Sequence, residues 1–208
     1  MTLVLLRHAE AGAEARGRCY GALDVALTAR GRRQAATLAR LFTDEPLGAV
    51  VSSPSRRAVV TARAIARPHG HAVDVLDGLR ELDFGAFEGR THDELAREHP
   101  ELYGRWMSEP TRVRFPGGES WVDLRERAVS AVELLRERSE RTRVLAVTHA
   151  GVVRTVVAEL LGMRAEHVFR LAIPPASATF VDWVDGEPLV GPVGVSLARI
   201  EPHGFVRD

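Results

Sequence analysis

Two rhythms alternate along the chain: short continuous apolar runs, and longer stretches where apolar residues recur every three or four positions. Thr2-Leu3-Val4-Leu5-Leu6, Leu47 to Val51 and Val144 to Val147 belong to the first kind, the pattern of strands buried on both faces. Ala29 to Phe42 belongs to the second. Ala35, Leu38, Ala39 and Phe42 fall at helical spacing behind Thr28, a good N-cap. Ser52-Ser53-Pro54 reads as a capping Ser followed by Pro at the first helical position, predicting a helix from Ser55 to Ala66 that Pro68-His69-Gly70 breaks. His71 to Leu76 alternates as a third strand. Ser120 to Arg138 is the longest predicted helix and Val152 to Leu161 another. Strand-like stretches at Thr179 to Val184 and Val193 to Ile200 close the chain.

This order predicts an α/β fold, a three-layer α/β/α sandwich around a mostly parallel mixed sheet. The rhythm fails between Asp77 and Gly118, where aromatic and apolar residues come irregularly around short helices at Thr91 to Trp106. That stretch is expected to be a small helical cap inserted over the sheet, about 77–118, in a single domain of residues 1–208.

Composition narrows the chemistry. Formal net charge is zero and the sequence pI is about 7.1, which argues against a nucleic-acid partner. All 28 basic residues are Arg, with no Lys. A cation that holds an anion here is therefore Arg or protonated His, and Arg suits phosphate because its planar fork donates two hydrogen bonds at once. Lysine Schiff-base chemistry is excluded. The single cysteine, Cys19, allows no internal disulfide. No signal peptide is seen and no apolar run approaches the ~18 residues that span a bilayer, so a cytoplasmic protein with no membrane partner is expected. The oligomeric state stays open, a homodimer included.

The apolar runs end alike. The first delivers Arg7-His8, the run ending at Val147 delivers Thr148-His149, and the run ending at Val51 delivers Ser52-Ser53-Pro54 and then Arg56-Arg57. In a parallel sheet the carboxyl ends of strands lie side by side, where open α/β sheets bind ligands. Two histidines and at least two arginines then converge. Arginines would repel a metal cation, and a metal site would prefer His with carboxylates or Cys. The set instead describes a pocket for a dianion, used for phosphoryl transfer by positioning and electrostatic stabilisation. Arg7 and Arg57 would hold the phosphate, His8 would attack phosphorus, and His149 would stabilise the transferring group. The leaving alkoxide needs a proton. Glu81, in Leu79-Arg80-Glu81-Leu82-Asp83-Phe84-Gly85, is the best candidate, with Asp83 and Glu88 as fallbacks.

These residues carry a resemblance. Leu6-Arg7-His8-Ala9-Glu10 is similar to the Arg-His-Gly-Glu signature of the histidine phosphatase superfamily, whose fold is phosphoglycerate mutase-like. Further segments follow in the family's order: Gly21 to Thr28 with Gly31 and Gln34-Ala35; Ser53 to Ala58 with Thr61-Ala62; Leu79 to Arg90; Gly117-Gly118-Glu119-Ser120; and Val147 to Gly151. The resemblance implies His8 as nucleophile, Arg7, Arg57 and His149 as phosphate ligands, Glu81 as proton donor, and no cofactor or metal. The chain departs from the family at Ala9, where Gly is usual, at Ala11, where Thr or Ser is expected, and at Glu14, where Asn is expected. Gly17-Arg18-Cys19-Tyr20-Gly21 with Asp24-Val25 looks most like α-ribazole phosphatases of cobalamin biosynthesis, which would turn Arg18 and Tyr20 toward the substrate.

The resulting expectation is a metal-independent phosphatase acting on a small-molecule phosphate ester. The alternatives are a broad-specificity sugar or nucleotide phosphatase, a phosphoglycerate mutase, or a non-catalytic phosphate-binding module. The short cap and short tail favour hydrolysis over mutase action. His69-x-His71 is read as a surface pair, and Trp106, Trp121 and Phe115 as cap packing, one of which could line a cleft.

Overall fold

The computed structural model describes residues 2–12 and 17–196. Its centre is a six-stranded sheet, β1 (Thr2–Arg7), β2 (Leu47–Ser52), β3 (Val73–Val75), β4 (Arg143–Thr148), β5 (Ala178–Val184) and β6 (Glu187–Val190), in the spatial order β3-β2-β4-β1-β5-β6. The first four strands are mutually parallel; β5 runs antiparallel to β1, and β6 antiparallel to β5.

Strand β1 shows why a continuous apolar run is needed here. Leu3 and Leu5 point into one cluster, with Leu124, Ala128, Val152 and Val156; Val4 and Leu6 point into the other, with Leu38, Ala58, Ala62 and Ile65. Helices α1 (Ala29–Leu41) and α2 (Arg56–Ala66) supply the second face, and α5 (Trp121–Ser139) and α6 (Ala150–Leu160) the first. All four β1 side chains are essentially inaccessible, each contributing about 2 kcal/mol of burial. The result is the expected three-layer α/β/α sandwich. No described helix is long and apolar enough to cross a membrane.

Helix starts follow their caps. The Thr28 hydroxyl accepts from the Gly31 amide at 2.9 Å and opens α1, and Ser120 with Asp123 forms a capping box at α5. Helix α2 begins at Arg56 behind Ser55, with Pro54 outside it, whereas the sequence pattern places Pro54 in the first turn. The Ser53 amide still bonds to the Val147 carbonyl at 2.9 Å, which prolongs the strand ladder and delays the turn into helix. Helix α6 starts two residues earlier than its apolar periodicity suggests.

The final strand is also displaced. It lies at Glu187–Val190, joined to β5 by Asp185-Gly186, both with positive φ (52° and 87°), as a two-residue hairpin requires. Val195 makes only an isolated bridge to Ala178, and residues 197–200 of the expected strand lie outside the described residues. Pro188 is tolerated because β6 is an edge strand.

Between β3 and α5 the chain crosses over the sheet, carrying the short helices α3 (His92–Glu98) and α4 (Pro100–Ser108). Phe87 and Phe115 are buried here, and Phe84 and Trp106 pack against them. His69 and His71 stack on each other, half-buried, and His71 Nε2 bonds to the Leu47 carbonyl at 2.7 Å. They are less exposed than a surface pair.

Candidate active site

The three central strands β2, β4 and β1 end side by side. Arg7 pairs with Thr148, and Ser52 with Val147. The ladder continues one residue further, with the His8 amide on the Thr148 carbonyl at 2.9 Å. His8, Ser53 and His149 therefore leave the sheet at neighbouring positions, each held by its own backbone. Helix α2 adds Arg57 from its first turn.

Arg57 is wholly buried, and its guanidinium is held from several sides. Nη1 donates to the Leu23 carbonyl at 2.8 Å and Nη2 to the Gly21 carbonyl at 2.6 Å. Nε faces His8 Nε2 and Nη2 faces His149 Nδ1, both at 3.3 Å. These partners assign the histidine tautomers. His8 Nδ1 lies 2.7 Å from the Ala9 carbonyl, which can only accept, so Nδ1 carries the proton. Nε2, facing a guanidinium N–H, then presents a lone pair. In His149 the roles reverse. Nδ1 accepts from Arg57, and Nε2–H donates to the Ser53 hydroxyl at 2.8 Å. The two rings stand edge to face with centroids 5.1 Å apart.

Both imidazoles are held neutral. Burial, then the Arg57 charge, lowers the His8 pKa to about 3 against the bond to Ala9, and Arg7 lowers it further. Burial, then His8 and the surrounding arginines, lowers that of His149 well below the usual range. Arg7 donates from Nη1 to the Ile173 carbonyl at 2.5 Å, while its Nε is buried without a hydrogen-bond partner among the described residues. An unspent N–H beside neutral histidines and a second guanidinium suits an incoming anion.

Glu81 closes the site from the cap side. Its carboxylate accepts from the Gly151 amide at 3.0 Å, in the first turn of α6, and from the Leu82 amide at 2.9 Å. A Cβ on residue 151 would lie 2.2 Å from Glu81 Oε1, so a side chain there would push the carboxylate from this seat. The backbone under Glu81 is fixed as well. Arg127 of α5 donates to the carbonyls of Gly78, Arg80 and Glu81, and pairs with Glu119.

Arg7, His8, Arg57, Glu81 and His149 line one cavity of about 280 Å³, together with Arg18 and Tyr20. The five residues given a chemical role from the sequence, and the two expected to face the substrate, are thus brought to the same place. The two fallback acids are not free. Glu88 accepts from the amides of Gly21, Ala22, Leu23 and Phe84, and Asp83 from the Gly85 amide. Ala11 bridges Leu27 instead of facing the cavity through a hydroxyl, and Glu14 lies outside the described residues. Sequence reasoning missed Ser53 as the partner of His149, Gly151 as the seat of Glu81, and Phe84 and His92 as cavity lining. Ser53 had a legible signal, a hydroxyl at a strand end; His92 had none.

Comparison with known proteins agrees with this geometry. Residues 3–193 match the model of the histidine phosphatase superfamily (branch 1). Phosphoserine phosphatase 1 of Hydrogenobacter thermophilus is 36% identical over 77% of this chain and 76% of its own. Adenosylcobalamin/alpha-ribazole phosphatase of Escherichia coli is 30% identical over 88% of this chain and 90% of its own. The crystal structure of a putative alpha-ribazole-5'-P phosphatase from Escherichia coli superposes with a TM-score of 0.86 at 28% identity, covering 94% of this chain and 98% of that one. The chain belongs to the histidine phosphatase superfamily, and its enzyme class is that of the phosphoric monoester hydrolases.

Proposed function

We propose that this phosphatase works through a phosphohistidine on His8 and needs no metal. The observation that carries the reading is the orientation of His8: Nδ1 is committed to the Ala9 carbonyl, so Nε2 offers its lone pair beside Arg57. Arg7 and Arg57 would hold the non-bridging oxygens of the ester. Nε2 attacks phosphorus in line, the P–O bond to the leaving group breaks, and Glu81 in its acid form protonates the departing oxygen. The bound dianion offsets the arginine charges and favours protonation of His149, which then donates to the transferring group. In the second half, Glu81 as carboxylate takes a proton from water. That water attacks phosphorus, the P–N bond breaks, and inorganic phosphate leaves with His8 and Glu81 restored. In this reading the charges of Arg7 and Arg57 would do the work that a cation does in metal-dependent phosphoryl transfer.

Among substrates, α-ribazole 5'-phosphate is the reading that the cavity positions of Arg18 and Tyr20 and the likeness to the Escherichia coli proteins support. Phosphoserine is the second, supported by the Hydrogenobacter relative. The partner is thus a small phosphate ester. The test is phosphate release from an aryl phosphate. Turnover should survive excess EDTA, and His8→Ala should lose roughly a thousandfold or more. Loss of activity with EDTA, or near-normal turnover in His8→Ala, would end this mechanism.

A further inference from the structure

The cavity is lined by groups of two chemistries. Arg7, Arg57, His8 and His149 are one set, and Tyr20, Phe84, His92 and Trp106 are the other. Tyr20 joins them, its ring 5.4 Å from the Arg57 guanidinium carbon. Trp106 is fixed by neighbouring rings, with Phe84 at 5.6 Å and Phe115 at 5.3 Å. His92 lies nearly parallel on Trp106, centroids 5.7 Å apart at 12°, and its Nδ1 is 3.2 Å from the Tyr103 hydroxyl.

The remaining arginine of the lining is Arg18, whose Nη1 donates to the Gly89 carbonyl at 2.8 Å and stands 3.6 Å from Glu94. A leaving group with a carboxylate would have to compete with Glu94 for Arg18. A flat uncharged ring would meet an aromatic wall already held in place, so little side-chain entropy is lost on binding.

We infer that the Trp106–His92 pair is the leaving-group subsite, and that the substrate is a monoester whose alcohol carries an uncharged aromatic or heteroaromatic ring. This rests on the phosphomonoesterase reading above and sharpens it, setting ring-bearing alcohols over short acids such as phosphoserine. Stacking of one ring on an aromatic side chain is worth roughly ten- to a hundredfold in affinity.

The test compares 2-phenylethyl phosphate with ethyl phosphate, whose leaving groups are of similar basicity, alongside phosphoserine and 3-phosphoglycerate. The wild type should prefer the phenylethyl ester over the other three by about tenfold or more in kcat/KM. Trp106→Ala should erase most of that preference. Trp106→Phe and His92→Phe should keep it, which separates loss of the stacking surface from collapse of the cap, and stacking by His92 from a charge on it. His8-dependent turnover that favours phosphoserine or 3-phosphoglycerate, or a preference unchanged in Trp106→Ala, overturns the subsite and leaves the phosphatase reading intact. Phosphate release from none of the four esters ends both.

Discussion

The floor of the cavity and its cap-side wall are built on different principles. On the floor, His8, Arg57 and His149 are each at most 3% exposed. Their positions follow from strand register and from hydrogen bonds to backbone carbonyls. On the wall, His92 is exposed and Trp106 half-buried, and they are held mainly by ring-to-ring contact. On the proposed function, a backbone-fixed floor would bind one group, phosphate, with little tolerance for displacement. A wall of packed rings could change its residues without disturbing that floor. Recognition of the common group would thus be separated from recognition of the variable one.

Glu81 sits on the seam between the two regions, and the strongest way to break the comparison acts there. Gly151→Ala drives a methyl group into the Glu81 carboxylate without touching Arg7, Arg57 or either histidine. If floor and wall are separable, the phosphate site should survive and only the acid should be lost. Turnover of alkyl phosphates should fall about a hundredfold, as on losing a general acid, with much smaller losses on aryl phosphates whose leaving groups need no proton. Steady-state rates across a leaving-group series check this. Equal losses on all esters would mean that the methyl group damages the floor itself.

A second test concerns how the cap reaches back to the floor. The Glu88 carboxylate gathers the amides of Gly21, Ala22 and Leu23, and the carbonyls of Gly21 and Leu23 hold Arg57. Glu88 therefore positions Arg57 through one short loop. In Glu88→Gln an NH2 group must face backbone amides that are themselves donors. The expected result is about tenfold weaker inhibition by inorganic phosphate, with the leaving-group dependence unchanged. Unaltered phosphate inhibition would remove Glu88 from the positioning of Arg57.

These contrasts also explain what the sequence shows and hides. The floor is legible because a continuous apolar run ending in Arg-His or Thr-His has one simple geometric meaning once two such runs are neighbours in a sheet. The wall is not, because Phe84, His92 and Trp106 lie in an irregular segment and converge only through tertiary packing. Errors at element boundaries have local causes. The Ser53 amide is still bonded to the Val147 carbonyl on the strand ladder, so the next helix starts at Arg56 behind Ser55. The Gly151 amide bonds to Glu81, which lets α6 begin at Ala150. The β5–β6 turn was readable in Asp185-Gly186, but Pro188 two residues later masked the strand that follows.

The last test sharpens the comparison through stability, since the floor buries two histidines and should be acid-sensitive. Burial and the neighbouring Arg57 charge push the His8 pKa down to about 3, from an ordinary histidine value of about 6.5. Between those values the unfolded chain binds a proton that the folded chain refuses, so stability rises with pH across this window. The contribution is fully present above 6.5 and is lost as pH falls toward 3, at up to about 1.4 kcal/mol per pH unit. His149 shifts in the same direction and adds to the slope. Urea unfolding from pH 7 to pH 4 should therefore show a flatter dependence in His8→Asn than in the wild type, whatever the difference in absolute stability. Parallel curves for His8→Asn and wild type would show that folding does not lower the His8 pKa, against the effect expected of its burial beside Arg57.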